Sequence, residues 1–151
     1  MDENLKKELL ELIAFNENRF HPLVWVRGEP KIGKEVYIGF FSIVNAKESH
    51  IEIGDHCFIA PFVSINCGDS HKRCLGLMDK TDRKPIILEH NVFVGTHSVV
   101  KPGAYIEHHS VIAAGTVVEP VRIPAYSLVS GNPMKIKAGY YKDKVEKESL
   151  R

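Results

Sequence analysis

One short stretch, residues 66–74, holds most of the residue types that could do chemistry. Asp69, Ser70 and His71 are the residue types of a hydrolase triad, but sequence neighbours rarely reach triad geometry and no nucleophile-elbow motif accompanies them. Cys67, His71 and Cys74 are spaced loosely like metal ligands, yet no fourth ligand follows. A histidine in this stretch could instead transfer a proton near pH 7. The chain has eight histidines.

Composition narrows the classes of protein that could position such a histidine. The chain has 151 residues, 20 Lys and Arg and 19 Asp and Glu, so no basic excess favours a nucleic acid partner. No apolar run could cross a bilayer and the N-terminus lacks a secretory pattern, so we expect a cytoplasmic protein without membrane insertion. Its three cysteines are then expected as reduced thiols. The 14 Ile and 15 Val favour strands over helices.

Both ends of the chain differ from its body. Leu5, Leu9, Leu12 and Ile13 recur at helical spacing after a possible N-cap at Asp2, which predicts one amphipathic helix in the first 20 residues. Residues 140–151 are mostly charged and indicate a short surface helix or a frayed tail.

The body of the chain repeats with a period of six residues, which neither a helix nor an ordinary hairpin explains. Four positions after each aliphatic residue a small or compact residue usually follows, and glycine or proline falls between them. Short strands joined by tight corners fit this pattern. The aliphatic positions are Ile32, Ile38, Val44, Ile53, Ile59, Ile65, Leu88, Val94, Val100, Ile106, Ile112 and Val118.

Three hexapeptides make one triangular coil, so aliphatic residues 18 positions apart should stack on the same face. The step from Ile53 to Leu88 is 35, which leaves 17 extra residues after Ile65. This insertion, roughly residues 68–84, is where we expect chemistry, because insertions in a regular solenoid tend to lie on the binding face. His71 stands apart from the other histidines because it opens this loop.

These repeats resemble the left-handed parallel β-helix acyltransferases of the hexapeptide-repeat family over about residues 32–135. The closing segment with Gly131, Asn132 and Pro133 strengthens the resemblance, which is greatest to the sugar N- and O-acetyltransferases. The resemblance implies an all-β fold, acetyl-CoA as co-substrate, a sugar acceptor and a homotrimer with active sites between subunits. We therefore divide the chain into an N-terminal helix and lead-in at 1–22, a β-helix domain at 23–130, and a C-terminal basic segment and helical tail at 131–151.

The resemblance also suggests roles for residues in and near the inserted loop. His71 occupies the position of the family's catalytic base, although with an amine acceptor it could serve only for positioning. Asn66 could hydrogen-bond the sugar or the thioester carbonyl, or could be a corner asparagine in left-handed geometry. Asp69 could orient His71 or contact substrate, and Arg73 belongs to a locally basic loop suited to a phosphorylated substrate. His97 could line the same cleft from an adjacent subunit.

A second implied site concerns the coenzyme, whose pantetheine arm lies along a coil edge in this family. Small residues there allow close approach, although tight corners demand small residues in any case. Lysines beyond the last coil could meet the phosphates of the coenzyme. The residues concerned are Gly95, Ala113, Ala114, Gly115, Lys135 and Lys137.

The resulting expectation is an acetyltransferase that modifies the amino group of a nucleotide-linked amino sugar, without a metal. One alternative is O-acetylation of a polysaccharide sugar or another hydroxyl acceptor. A second is a non-catalytic or zinc-binding β-helix protein resembling carbonic anhydrase. The zinc-binding form needs three histidines placed to bind zinc between subunits, and the spacing of the histidines in the sequence does not identify such a set.

Overall fold

The computed structural model describes residues 2–13 and 23–150. Helix α1 spans Glu3–Ile13, where the sequence predicts a helix, and Asp2 Oδ1 accepts a hydrogen bond from the Asn4 N–H at 3.0 Å. The expected lead-in after this helix, residues 14–22 with His21, lies outside the described residues.

The chain beyond residue 23 forms eighteen short strands and two helices. Each strand has only two or three residues, as tight corners at a six-residue spacing require. In chain order the strands are β1 (Trp25–Arg27), β2 (Lys31–Ile32), β3 (Tyr37–Ile38), β4 (Ile43–Asn45), β5 (Ile51–Ile53), β6 (Phe58–Ile59), β7 (Ser64–Asn66), β8 (Gly68–Asp69), β9 (Asp82–Arg83), β10 (Ile86–Leu88), β11 (Phe93–Val94), β12 (Val99–Val100), β13 (Tyr105–Ile106), β14 (Val111–Ile112), β15 (Val117–Val118), β16 (Arg122–Ile123), β17 (Leu128–Ser130) and β18 (Lys135–Lys137). The helices are α2 (His71–Cys74) and α3 (Lys142–Ser149).

These strands build a parallel β-solenoid with three faces. The first sheet has the order β1-β4-β7-β12-β15, the second β2-β5-β10-β13-β16, and the third β3-β6-β11-β14-β17. Register pairs Ile53 with Leu88 and Leu88 with Ile106, which confirms the predicted stacking of every eighteenth aliphatic residue across the insertion. Only β18 runs antiparallel in these faces, against β17.

The core is a column of aliphatic side chains with a second column of small ones beside it. Nearly all predicted inward positions are fully buried, and so are the small residues four positions further on. Where the small residue is a serine, its hydroxyl links two coils: Ser98 Oγ donates to the Ala113 carbonyl at 3.1 Å and accepts from the Thr116 N–H at 3.3 Å. The hydroxyls thus satisfy backbone groups that the short strands leave unpaired.

Most corners share one backbone feature: the third residue after the inward aliphatic residue has positive φ, with Lys47, Gly68 and Val121, all between the first and second sheets, among the exceptions. Asn91, His97 and His109 are examples with φ of 56°, 57° and 53°, and Gly103 and Gly115 occupy the same place on other coils. Left-handed geometry costs a non-glycine residue free energy, so the regular ladder between coils must hold these residues in place.

Each of the three corners of the coil carries a different set of residues. The loop corner, between the first and second sheets, carries the inserted residues 67–85. The histidine corner, between the second and third sheets, carries His90, His108 and His109, and the small-residue corner, between the third and first, carries Gly95 and residues 113–115.

The solenoid is longer than the repeat pattern predicts. The twelve predicted positions end at Val118 and imply about four coils, whereas Ile123 and Val129 are also fully buried and pair with Ile106 and Ile112. The step from Val118 to Ile123 is five residues instead of six, so the period breaks while the stacking continues. With β1 at the other end, the solenoid has about five turns.

The chain ends in α3, which has no buried residue and fits the expected surface helix. Across residues 2–13 and 23–150, no helix combines the length and the apolar character that a membrane span needs.

Replacing Leu88 tests whether the inward column carries the stability. We expect Leu88→Ala to lower the free energy of unfolding by about 2–5 kcal/mol, because this fully buried side chain would leave a cavity. Ile87→Ala is the matched control on the same strand, with its side chain half-exposed on the outer face. Urea unfolding at one fixed protein concentration measures both, and equal losses would contradict the assignment of the core.

Candidate active site

The inserted loop begins where β7 ends and returns to the solenoid just before β10. Its base is an antiparallel pair in which Gly68 faces Arg83 and Asp69 faces Asp82. The Lys84 N–H donates to the Cys67 carbonyl at 3.0 Å and closes the loop. Helix α2 starts two residues beyond the first strand of this pair, so His71 is held close to the loop corner.

Asp69 and His71 form the closest pair of functional groups in the loop. His71 Nδ1 lies 2.7 Å from Asp69 Oδ1, and the same oxygen accepts the His71 backbone N–H at 3.1 Å. The imidazole and backbone hydrogen bonds from His71 hold the pKa of the Asp69 carboxyl below its usual value, so the carboxylate is ionised at neutral pH. A carboxylate at Nδ1 makes that atom the proton donor and leaves Nε2 as the acceptor.

The pair opens onto a cleft of about 170 Å³ at the loop corner. Lys84, Lys101 and the prolines of the next two coils, Pro102 and Pro120, form its other walls. Lys101 is paired with Glu119 at 2.7 Å. His71 is 60% exposed, so an acceptor can reach Nε2 directly.

Asn66 lies at the mouth of the loop but its amide oxygen is already used. Asn66 Oδ1 accepts hydrogen bonds from Asn45 Nδ2 and from the Gly68 N–H, both at 3.1 Å. The left-handed geometry considered for this residue is wrong: Asn66 ends strand β7 and is not among the residues with positive φ. Its NH₂ group is the part that could still donate to a ligand.

Arg73 is on the same short helix as His71 but lines a different cleft. This larger cleft, about 660 Å³, lies between the loop and the preceding coil and is also lined by Lys47, Lys80 and Arg83. Glu48 pairs with Arg83 at 3.2 Å and with Lys47 at 3.3 Å. Neither Lys47 nor Glu48 is predicted from the sequence as a site residue, although the step of 21 residues from Ile32 to Ile53, three more than a regular coil, marks this coil as irregular.

His97 lies at the small-residue corner, separated from the loop corner by the whole first sheet. Its ring stacks on Phe62 with 5.0 Å between the centroids and 16° between the planes. Within one chain the structure therefore does not bring His97 to His71.

The residues suggested for coenzyme binding lie together near His97. A Cβ on Gly95 would meet the Ala114 nitrogen at 2.5 Å, so the approach of neighbouring coils already requires glycine there. Gly115 has φ of 70° with open space around it, and Ala114 is exposed. Lys135 and Lys137 are exposed on β18 at the end of the third sheet, the sheet that leads into this corner.

The residues with metal-like spacing in the loop do not meet. Cys67 is buried, with its thiol directed at the Lys47 carbonyl 3.6 Å away, while Cys74 is exposed. In the described part of the chain, the one group of three side chains spaced for a metal is His90, His108 and His109, at another corner.

Comparison with known proteins points to one group of enzymes. A family model described as the hexapeptide repeat of succinyl-transferase matches residues 85–120. Galactoside O-acetyltransferase of Escherichia coli strain K12 is 30% identical over 155 residues, covering 95% of this chain and 75% of that protein. A 2,3,4,5-tetrahydropyridine-2,6-dicarboxylate N-acetyltransferase of Clostridium perfringens is 38% identical over 61 residues, covering 40% and 25%.

The fold also matches a solved structure. A hexapeptide-repeat-containing acetyltransferase of Vibrio cholerae, complexed with acetyl coenzyme A, superposes with a TM-score of 0.54 and 24% identity. The match covers 89% of this chain and 84% of that one, and so supports the fold of the whole solenoid.

Proposed function

The chain belongs to the hexapeptide-repeat acetyltransferase family, and from that premise we propose that it moves an acetyl group from acetyl-CoA to a hydroxyl of a sugar, with His71 as the general base. The observation that carries the proposal is the 2.7 Å pairing of His71 Nδ1 with the ionised Asp69 carboxylate beside an open cleft. The pairing leaves Nε2 able to accept a proton, which is what a hydroxyl nucleophile requires.

In the proposed reaction the acceptor oxygen attacks the thioester carbonyl carbon while His71 Nε2 takes the hydroxyl proton. The positive imidazole is stabilised at Nδ1 by Asp69, which also fixes the orientation of the ring. The carbon–sulfur bond then breaks, and the proton on Nε2 passes to the departing coenzyme thiolate. Asp69 is thus a positioning residue, and His71 is the residue that touches the reacting atoms.

A hydroxyl acceptor fits the Asp69–His71 pair better than an amine does. A sugar hydroxyl keeps its proton at neutral pH and needs a base, whereas an amine can be neutral before it attacks. The galactoside O-acetyltransferase of Escherichia coli, a relative that matches over 95% of this chain, modifies a hydroxyl group according to its name. A sugar hydroxyl is therefore our first choice.

The amino group of a nucleotide-linked amino sugar, the acceptor that the sequence favours first, is our second candidate. The larger cleft supports it, because Arg73, Lys80 and Arg83 could bind the phosphates of a nucleotide. Within the described residues neither Arg73 nor Lys80 forms an ion pair with another side chain, so both are available to an anion.

We assign acetyl-CoA to the small-residue corner. Ala114 and Gly115 are exposed and without bulk, which allows the pantetheine arm to lie close to the backbone. Lys135 and Lys137, exposed on β18, would meet its phosphates. The acetyl-CoA complex of the Vibrio cholerae enzyme supports the choice of donor.

We further propose that the enzyme is a homotrimer. The small-residue corner and His71 lie on opposite edges of the first sheet, so a neighbouring subunit must bring the coenzyme to the base. The third sheet offers a surface for this packing: Tyr37, Phe58 and Phe93 form an outward aromatic stack, and Phe58 and Phe93 are exposed. An apolar face of this kind favours burial against another copy.

The role of His71 is tested by His71→Ala, which we expect to lower kcat by about 10²–10⁴-fold, the range that general base catalysis supplies. Asp69→Asn should give a smaller loss, since the ring remains but is no longer oriented by a carboxylate. His56→Ala is the control, because His56 pairs with Glu35 at 2.9 Å at the histidine corner. Coenzyme release measured with a thiol reagent reports all three, and an unchanged rate for His71→Ala would remove it as the base.

The acceptor is tested by a panel of sugars with acetyl-CoA as donor. We expect galactosides and related hydroxyl acceptors to release coenzyme faster than nucleotide-linked amino sugars. Arg73→Ala should leave the rate with an uncharged sugar unchanged. Faster turnover of nucleotide-linked amino sugars, with KM raised by Arg73→Ala, would instead establish the second candidate. Release with no sugar at all would contradict both.

The trimer is tested by sedimentation equilibrium, which should give three times the 17.0 kDa subunit mass. Phe58→Glu should dissociate the trimer and abolish acetyl transfer, because it places a charge on the apolar face. Ile87→Lys places a charge at an outward position of the second sheet, where Glu52 and Tyr105 are the cross-strand neighbours, and should do neither. A fully active monomer would disprove the shared site.

A further inference from the structure

We propose that His90, His108 and His109 bind one divalent transition metal ion at the histidine corner, apart from the acetyl transfer site. Each ring offers one nitrogen, and the three nitrogens lie within 4.8 Å of one another. The residues come from two successive coils, one from the first and an adjacent pair from the second.

The closest two nitrogens already have the spacing of metal ligands. His108 Nδ1 and His109 Nδ1 are 3.0 Å apart, and their rings are at 89°. Two nitrogens held tetrahedrally by Zn²⁺ at its usual bond length are about 3.3 Å apart. A metal ion in place of the proton of this hydrogen bond would need the nitrogens to separate by about 0.3 Å and both rings to turn, so that their lone pairs converge on the ion.

The third ring is in a tautomer suited to binding. His90 Nδ1 lies 2.9 Å from Asn91 Oδ1, and an amide oxygen can only accept, so the proton is on Nδ1. The lone pair on Nε2 is then available to a metal. Metal-binding histidines commonly donate their second nitrogen to an oxygen in this way.

His90 must rotate to complete the site. A metal ion lies in the plane of each imidazole that binds it, whereas His90 and His108 are now parallel, with centroids 5.0 Å apart. His90 is exposed and can turn about its side-chain bonds.

The pair on the second coil is held more firmly. The His108 N–H donates to Glu89 Oε2 at 3.0 Å, and Tyr126 stacks on the His109 ring with centroids 5.3 Å apart. His109 also has the left-handed backbone that fixes every corner of this type.

The ligand set indicates which ions the site would take. Three imidazoles without a carboxylate among them suit Zn²⁺, Ni²⁺ or Cu²⁺ and not Mg²⁺ or Ca²⁺. Because a bound ion would join two coils, it would stabilise the folded solenoid, and water could fill the remaining position.

The test uses Zn²⁺ with the full-length, untagged chain after removal of metals by a chelator. Competition with a chromophoric chelator should show one Zn²⁺ per chain for the unmodified protein. His108→Ala should weaken binding at least tenfold. Asn91→Gly keeps a residue that accepts positive φ and should weaken it by about 10–100-fold, since it removes only the partner of His90.

Two control variants make the result specific. His56→Ala, at the same corner, and His71→Ala, at the loop corner, should bind Zn²⁺ as the unmodified protein does. Added Zn²⁺ should raise the Tm of both controls but not that of His108→Ala. Acetyl transfer should survive in His108→Ala and fail in His71→Ala, which separates this site from the proposed function. Equal Zn²⁺ binding by the unmodified protein and His108→Ala, or none by either, would overturn the proposal.

Discussion

The whole molecule depends on the stacking of aliphatic side chains inside a coil that repeats every three hexapeptides. Backbone hydrogen bonds between successive coils require the strands to stay in register, and the inward residue of each strand must fill the same small space. Inward packing does not restrict the outward side chains or the side chains exposed at the corners. The proposed acetyl transfer and metal sites accordingly lie at the corners and in the long insertion.

The corners can carry functional side chains because their backbone is fixed by the ladder. At most corners the third residue after the inward aliphatic has positive φ, as at Phe62, His97 and His109, so its side chain leaves the corner in a repeated direction. Neighbouring coils then bring such side chains into contact, as in the stack of Phe62 on His97. In a solenoid, positions one coil apart in sequence are neighbours in space.

The residues proposed for the base and for the coenzyme lie at different corners, so one subunit should not suffice for the proposed reaction. The proposed base lies at the loop corner, and the exposed small residues proposed for the coenzyme lie at the opposite edge of the first sheet. The histidine corner faces neither, so a metal ion there would act on stability and not on acetyl transfer. The aromatic stack on the third sheet gives a second copy a surface to cover.

The amino-acid sequence alone predicts the six-residue repeat and the stacking across the insertion, because inward packing constrains residue type at fixed spacing. It also distinguishes His71 as the histidine that opens the insertion. Three other features depend on the tertiary structure. The coil continues through Ile123 after a five-residue step, since burial tolerates a shorter corner that breaks the period. Asp69 meets the His71 ring while Arg73 faces another cleft, since loop geometry is not periodic. His90 joins His108 and His109 because their contact depends on the register of two coils and on ring orientation, neither of which a spacing of residues records.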